Sequence, residues 1–195
     1  LPAPKRRCPW PSDGDPRMLA YHDTEWGVPT RDDRVLFEFL LLESFQAGLS
    51  WRTVLHKREN FRSAFAGFDP RKIARFGEKD MARLLGDAGI IRSRAKIAAV
   101  IHNARKFMDI QKEFGSFADY QWRFVGNKPI VHRIRSEDDY PVTIPEAHAF
   151  ATDLKARGFK FLGPTTLYAH MQGVGMVNDH MVTCFRYREV MTPRS

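Results

Sequence analysis

Glu43 interrupts an apolar run, Leu40-Leu41-Leu42-Glu43-Ser44-Phe45. If the chain is helical from Asp33 to Ala47, the residues sharing its face are Leu36, Phe39, Leu40 and Ala47, all apolar. Glu38 differs, because Arg34 stands four residues before it and the two can pair in water. A buried carboxylate without a partner is costly or takes up a proton. Glu43 is therefore a candidate for binding or acid–base chemistry, with a carboxyl satisfied by main-chain amides as the alternative.

Cysteine and histidine supply a second constellation. His180 and Cys184 stand four apart, so a helix there would aim both at one point. Cys8 and His22 lie near the other end, across a turn-rich stretch holding Pro9, Pro11, Gly14 and Pro16. Two sulfurs and two imidazole nitrogens would complete a closed tetrahedral zinc shell with no position open to substrate. Such an ion would be structural, joining the chain ends. Buried free thiols beside two unrelated histidines account for the same residues.

A third pattern lies in Leu84-Leu-Gly-Asp-Ala-Gly-Ile-Ile-Arg-Ser-Arg-Ala-Lys-Ile97. One amphipathic helix ends near Asp87, a tight turn follows at Ala88-Gly89-Ile90, and a second helix begins. Helix-hairpin-helix units offer main-chain N–H groups to a phosphate at such a turn. Gly89 would supply a permissive backbone, Ile90 an anchor in the core, and Arg92, Arg94 and Lys96 positive charge. An ordinary helical hairpin with a solvated basic face is the plainer reading.

The elements that must carry these groups read as helices. Met81, Leu84, Leu85 and Ala88 form one stripe; Ile97, Val100, Ile101, Ala104 and Met108 form another. Thr143-Ile-Pro-Glu146 reads as a capping box, and Gly158 closes the helix that follows. No persistent alternation competes, there is no repeat, and residues 126–145 read as a long irregular connection. The expected fold is all-α.

At 195 residues one domain, or two intimate lobes, is expected. Lys plus Arg number 31 against 23 Asp plus Glu, an excess of eight that favours a polyanionic partner, most simply nucleic acid. No apolar stretch reaches bilayer-spanning length, and the opening Leu1-Pro-Ala-Pro-Lys-Arg-Arg7 lacks the apolar core of a signal peptide. A cytoplasmic, nucleoid-associated monomer with no membrane partner is expected.

Six blocks carry a resemblance: Cys8-Pro-Trp10, Ala20-Tyr-His-Asp-Thr-Glu-Trp-Gly-Val-Pro29, Gln46-Ala-Gly-Leu-Ser-Trp51, Asp87-Ala-Gly-Ile-Ile-Arg92, Gly158-Phe-Lys-Phe-Leu-Gly163 and Met176-Val-Asn-Asp-His180. In these the chain resembles the 3-methyladenine DNA glycosylase I family of the helix-hairpin-helix superfamily. The blocks span nearly the whole chain; residues 126–141 are the part without a match.

The resemblance implies a zinc-binding set at Cys8, His22, His180 and Cys184, remote from the substrate pocket. It implies a base pocket with Glu43 as its polar and catalytic-site residue and Trp10, Tyr21, Trp26 and Trp51 as aromatic walls. Gly48 and Leu49 match the plug that fills the gap left by an extruded nucleotide, with Gly89, Arg92 and Lys96 on the DNA. The implied organisation is a single catalytic domain over 1–195, with the hairpin at about 79–110 and zinc-tied segments at about 8–30 and 163–188. The implied activity is monofunctional hydrolysis of N3-methyladenine from double-stranded alkylated DNA, releasing the free base. An ionised Glu43 would accept from the 6-amino group of adenine and reject the 6-oxo group of guanine. Phe45, Met18 and His170 depart from the family pattern; Phe45 would alter the DNA contact surface and Met18 would loosen the pocket wall. A non-catalytic, zinc-stapled reader of distorted duplexes is the rival, but it would need neither Glu43 nor the aromatic set.

Overall fold

The computed structural model describes residues 5–11 and 14–192; the signal-peptide reading of the first residues falls partly outside them, at Leu1–Pro4. In chain order the helices are α1 (Pro16–Thr24), α2 (Asp33–Gln46), α3 (Trp51–His56), α4 (Arg58–Ala64), α5 (Pro70–Ile73), α6 (Glu78–Gly86), α7 (Arg94–Phe114), α8 (Phe117–Trp122), α9 (Pro145–Ala156), α10 (Pro164–Gly173) and α11 (Arg186–Glu189). The expected helical fold holds. The addition is a two-residue parallel bridge, β1 (Ile130–Val131) on β2 (Val177–Asn178), which fastens the irregular 126–144 connection to the C-terminal part.

α2 is the axis of the molecule. Asp32 caps it by accepting from Arg34 N at 2.8 Å, and Asp33 accepts from Phe117 N and Ala118 N at 2.8 Å each, which also caps α8. Ten consecutive residues, Leu36 to Phe45, are buried, as in a helix enclosed on every side. α3, α7, α8 and α10 pack around it.

That enclosure overturns the surface role expected for Glu38. It is 3 % exposed, and its Oε1 accepts from Arg58 at 2.6 Å and Arg62 at 2.9 Å, both on α4. Arg34 instead faces Asp69 at 3.5 Å. Helical spacing identified a possible partner, but burial demands a guanidinium delivered from across the core.

Three further expectations change. Phe45 is fully buried against Phe61, with ring centroids 4.8 Å apart, so it belongs to the core and not to a DNA-contacting surface. The Thr143 capping box does not form: Ile144 is the N-cap and Thr143 Oγ1 is buried without a partner. The α7 stripe continues through Phe107 and Ile110, with Met108 only half-buried. Gly158 does close α9, with Phe159 N bonded to Leu154 O in a Schellman arrangement.

The hairpin between α6 and α7 is held from inside. Ile90 is buried, and Gly89 O accepts from Asn60 Nδ2 at 3.2 Å. Gly89 has no positive φ, so permissive backbone is not its role. A Cβ there would lie 2.9 Å from Asp87 Oδ1 and 3.1 Å from Asn60 Nδ2, so close approach excludes a side chain. Its N–H donates to Asp87 Oδ1 at 2.7 Å.

Candidate active site

Glu43, Trp10, Tyr21, Trp26 and Trp51, taken from four separate stretches of sequence, line one cavity of about 360 Å³. That volume lies within the range of small-molecule pockets. α1 contributes Tyr21, α2 contributes Glu43, and Trp51 opens α3. The placement is enforced locally. Asp15 caps α1 through Arg17 N at 2.9 Å, and its other oxygen meets Arg52 at 2.8 Å and His56 at 2.6 Å, locking α1 to α3. The rings form a continuous wall: Tyr21 lies 5.3 Å from Trp51, and Trp10 lies 5.0 Å from Trp26, centroid to centroid.

Glu43 is 4 % exposed, and its Oε2 has no hydrogen-bond partner. Burial, with no cation to offset it, pushes its pKa up to about 8. Its carboxyl is therefore largely protonated at neutral pH, in contrast to the ionised group assumed from sequence. The indole Nε1 atoms of two other lining residues, Trp10 and Trp51, are likewise buried without hydrogen-bond partners. The lining thus combines flat aromatic faces with the carboxyls of Glu43 and Glu137, a set suited to a planar ring bearing hydrogen-bond donors.

Pro9, Gln46, Glu137, Tyr140, Ala169 and Gln172 complete the lining and were not foreseen. Gln46 follows Glu43 by three residues, so helical spacing could have found it. Glu137 and Tyr140 come from the irregular connection, where no period marks an inward face. That connection is tied down at Asp179, which is buried and accepts from Tyr168, from Gln172 Nε2 at 2.7 Å and meets His132 Nδ1 at 2.6 Å. Met18 is buried but does not line the cavity. His170 bonds Gln121 Oε1 at 2.9 Å, and burial pushes its pKa down to about 3, so it stays neutral.

Beside the cavity, Cys8, His22, His180 and Cys184 are all buried, with their ligand atoms within 4.8 Å of one another, a group that could hold a metal ion. Cys184 Sγ lies 3.5 Å from His22 Nε2 and 3.6 Å from His180 Nδ1; Cys8 Sγ lies 3.6 Å from His180 Nδ1. The far ring nitrogens are also engaged, His22 Nδ1 with Asp23 at 2.8 Å and His180 Nε2 with Trp26 O at 2.9 Å. Contrary to the expectation from sequence, the cluster is not remote from the pocket. Trp10 packs on His22 at 5.3 Å and Trp26 on His180 at 4.7 Å, so two pocket walls rest on two of its imidazoles. Gly175 brings the chain ends this close: its φ is +72°, and a Cβ would fall 2.3 Å from Pro29 N.

Of the remaining sequence candidates, Gly48, Leu49 and Arg92 face outward. Gly48 adopts φ +83°, and Leu49 is 44 % exposed at the mouth of a second cleft that Glu43 also lines. Arg92 is exposed. Lys96 is directed back onto the end of α2, with Nζ 2.9 Å from both Phe45 O and Ala47 O.

Residues 10–187 match a family model described as methyladenine glycosylase. The chain is 49 % identical over 181 residues to DNA-3-methyladenine glycosylase 1 of Escherichia coli (strain K12), covering 93 % of this chain and 96 % of that one. Among solved structures, a crystal structure of 3-methyladenine DNA glycosylase I superimposes with a TM-score of 0.89 at 51 % identity, covering 92 % of this chain and 98 % of the other. A variant of 3-methyladenine DNA glycosylase I in complex with 3-methyladenine gives 0.87 at 34 % identity, covering 93 % and 96 %.

Proposed function

The chain belongs to the methyladenine glycosylase family, and from that premise we propose how its cavity selects and releases a base. It excises 3-methyladenine from DNA by hydrolysing the N-glycosidic bond. The observation that carries the residue-level reading is Glu43, buried without a cation in an aromatic cavity.

A base inside a duplex must be extruded before it can enter, at a cost of a few kcal/mol. Leu49 fills the gap left in the stack, and Trp51 receives the base on its face. N3-methyladenine in DNA is cationic, so it gains cation–π attraction from the wall and supplies the positive charge that Glu43 lacks. Ionisation of Glu43 at its buried position is offset only when such a cation arrives. A neutral base offers no such compensation, so charge discriminates damaged from undamaged adenine, and the 6-amino donor discriminates adenine from guanine. The cationic base is already a good leaving group, and water attacks the sugar carbon as the bond breaks. Glu43 recognises the base and stabilises its charge.

The Cys8, His22, His180, Cys184 set fits zinc. Sulfur and nitrogen ligands at ordinary Zn–S and Zn–N bond lengths in a tetrahedron lie about 3.6 Å apart, close to the three sulfur–nitrogen distances of 3.5 to 3.6 Å, and both imidazoles carry the outer hydrogen bonds typical of metal ligands. The ion would be structural, with all four positions filled by protein. The α6–α7 hairpin serves as the phosphate grip, with Arg92 at its tip.

The functional test is incubation of purified protein with methylated duplex DNA and chromatographic identification of the bases released. 3-Methyladenine is the expected product; its absence would sink the proposal. Arg92→Ala should weaken binding to damaged and undamaged duplexes alike and reduce the slope of log affinity against log salt by about one. A loss confined to damaged DNA would assign Arg92 to recognition instead.

A further inference from the structure

The last carbonyls of a helix have no partner within it. At the end of α2 those of Phe45 and Ala47 both accept from Lys96 Nζ, at 2.9 Å each. Lys96 belongs to the first turn of α7, directly after the hairpin. The next two residues beyond Ala47 are Gly48 and the exposed Leu49, whose N–H is bonded back to Gln46 O. Ser50 then caps α3, accepting from Thr53 N at 3.2 Å. The loop bearing Leu49 is therefore short, fixed at its far end by a cap, and fixed at its near end by a cation from the hairpin helix. The charge of Lys96 is directed to two carbonyls, whereas Arg92, four residues earlier, is exposed to solvent.

We propose that Lys96 is a positioning residue for base extrusion, acting through Leu49 by clasping the foot of its loop to the hairpin, and that it is not itself a phosphate contact. The proposal rests on the reading of Leu49 as the wedge and of α6–α7 as the phosphate grip. Phosphates held by the hairpin then set where Leu49 meets the base stack. Without the clasp the loop can shift by an ångström or so, enough to cost about 10- to 100-fold in a positioned step.

The test compares the parent, Lys96→Met, Leu49→Ala, the double variant and Lys96→Arg, all checked for unchanged melting. Unstacking is read from 2-aminopurine placed beside the lesion, excision from single-turnover release of 3-methyladenine, and phosphate contact from the salt slope on undamaged duplex. Lys96→Met should lose about tenfold or more in unstacking and excision while keeping the parental salt slope and the parental affinity for free 3-methyladenine. Lys96→Arg, which can still donate to both carbonyls, should recover most of the loss. The double variant should be no slower than Leu49→Ala alone, because the clasp has nothing left to position. A salt slope reduced by about one, or a double variant showing the full product of both losses, overturns the proposal while leaving the wedge reading in place. If Leu49→Ala itself unstacks DNA as the parent does, the wedge reading falls and the clasp falls with it.

Discussion

Glu43→Gln is expected to slow 3-methyladenine release by about 100-fold, the scale of a lost charge-assisted hydrogen bond. The substitution keeps the size of the side chain but removes the charge that a cationic base meets, leaving the fold and nonspecific DNA binding intact. Its second signature is in pH. With the carboxylate as the form that meets the cationic base under the proposed function, kcat/KM of the parent should climb with pH until about 8, where burial places the Glu43 pKa, and Glu43→Gln should lack this limb. Stability runs the other way. The folded-state pKa is raised from 4.5 to about 8, so this group's stabilising contribution is full below about 4.5 and is lost as pH rises through 8. Between pH 6 and pH 9 the unfolding free energy of the parent should fall by about 2–3 kcal/mol relative to Glu43→Gln. Denaturant titrations at the two pH values measure it. Parental release rates from a folded Glu43→Gln protein would return Glu43 to the status of a satisfied core carboxyl.

Removal of the metal should have the largest effect on stability. Elemental analysis is expected to find one zinc per chain, and Cys184→Ser to lose it. A zinc bound by Cys8 and Cys184 would tie together segments from both ends of the chain, so its release should cost at least about 4 kcal/mol, or roughly 10 °C in melting temperature for a domain of this size. Because Trp10 and Trp26 rest on His22 and His180, affinity for free 3-methyladenine should fall as well, where a remote staple would leave it unchanged. Folded, carefully purified protein without zinc, melting as Cys184→Ser does, would refute this.

The helices were legible because their signals are local: the α7 stripe follows from a 3.6-residue period, the Gly158 stop from a chain breaker, and α2 from a near-continuous apolar run. Glu43 stood out for the same reason, as a polar residue where the period demands an apolar one. Glu38 was misread because two carboxylates five residues apart on one buried helix differ only in what α4 brings to them, and sequence spacing does not show that. Glu137 and Tyr140 were invisible, since an irregular connection has no period and its course is set by the distant Asp179. The proximity of the Cys/His cluster to the pocket was likewise illegible, because it depends on a backbone contact between residues 29 and 175.

That proximity has a spectroscopic consequence. Three of the four tryptophans line the cavity, and two of these touch the histidines of the cluster. Trp122 is the exception, buried elsewhere with its indole N–H on Thr30 O at 3.0 Å. Intrinsic emission therefore comes chiefly from the pocket and carries two signals in one band. A base stacking on Trp51 would quench it directly, while loss of a metal bound by the cluster would alter the imidazole neighbours of Trp10 and Trp26. A Trp51→Phe protein would silence the first and keep the second, giving an optical readout of the metal in the absence of DNA.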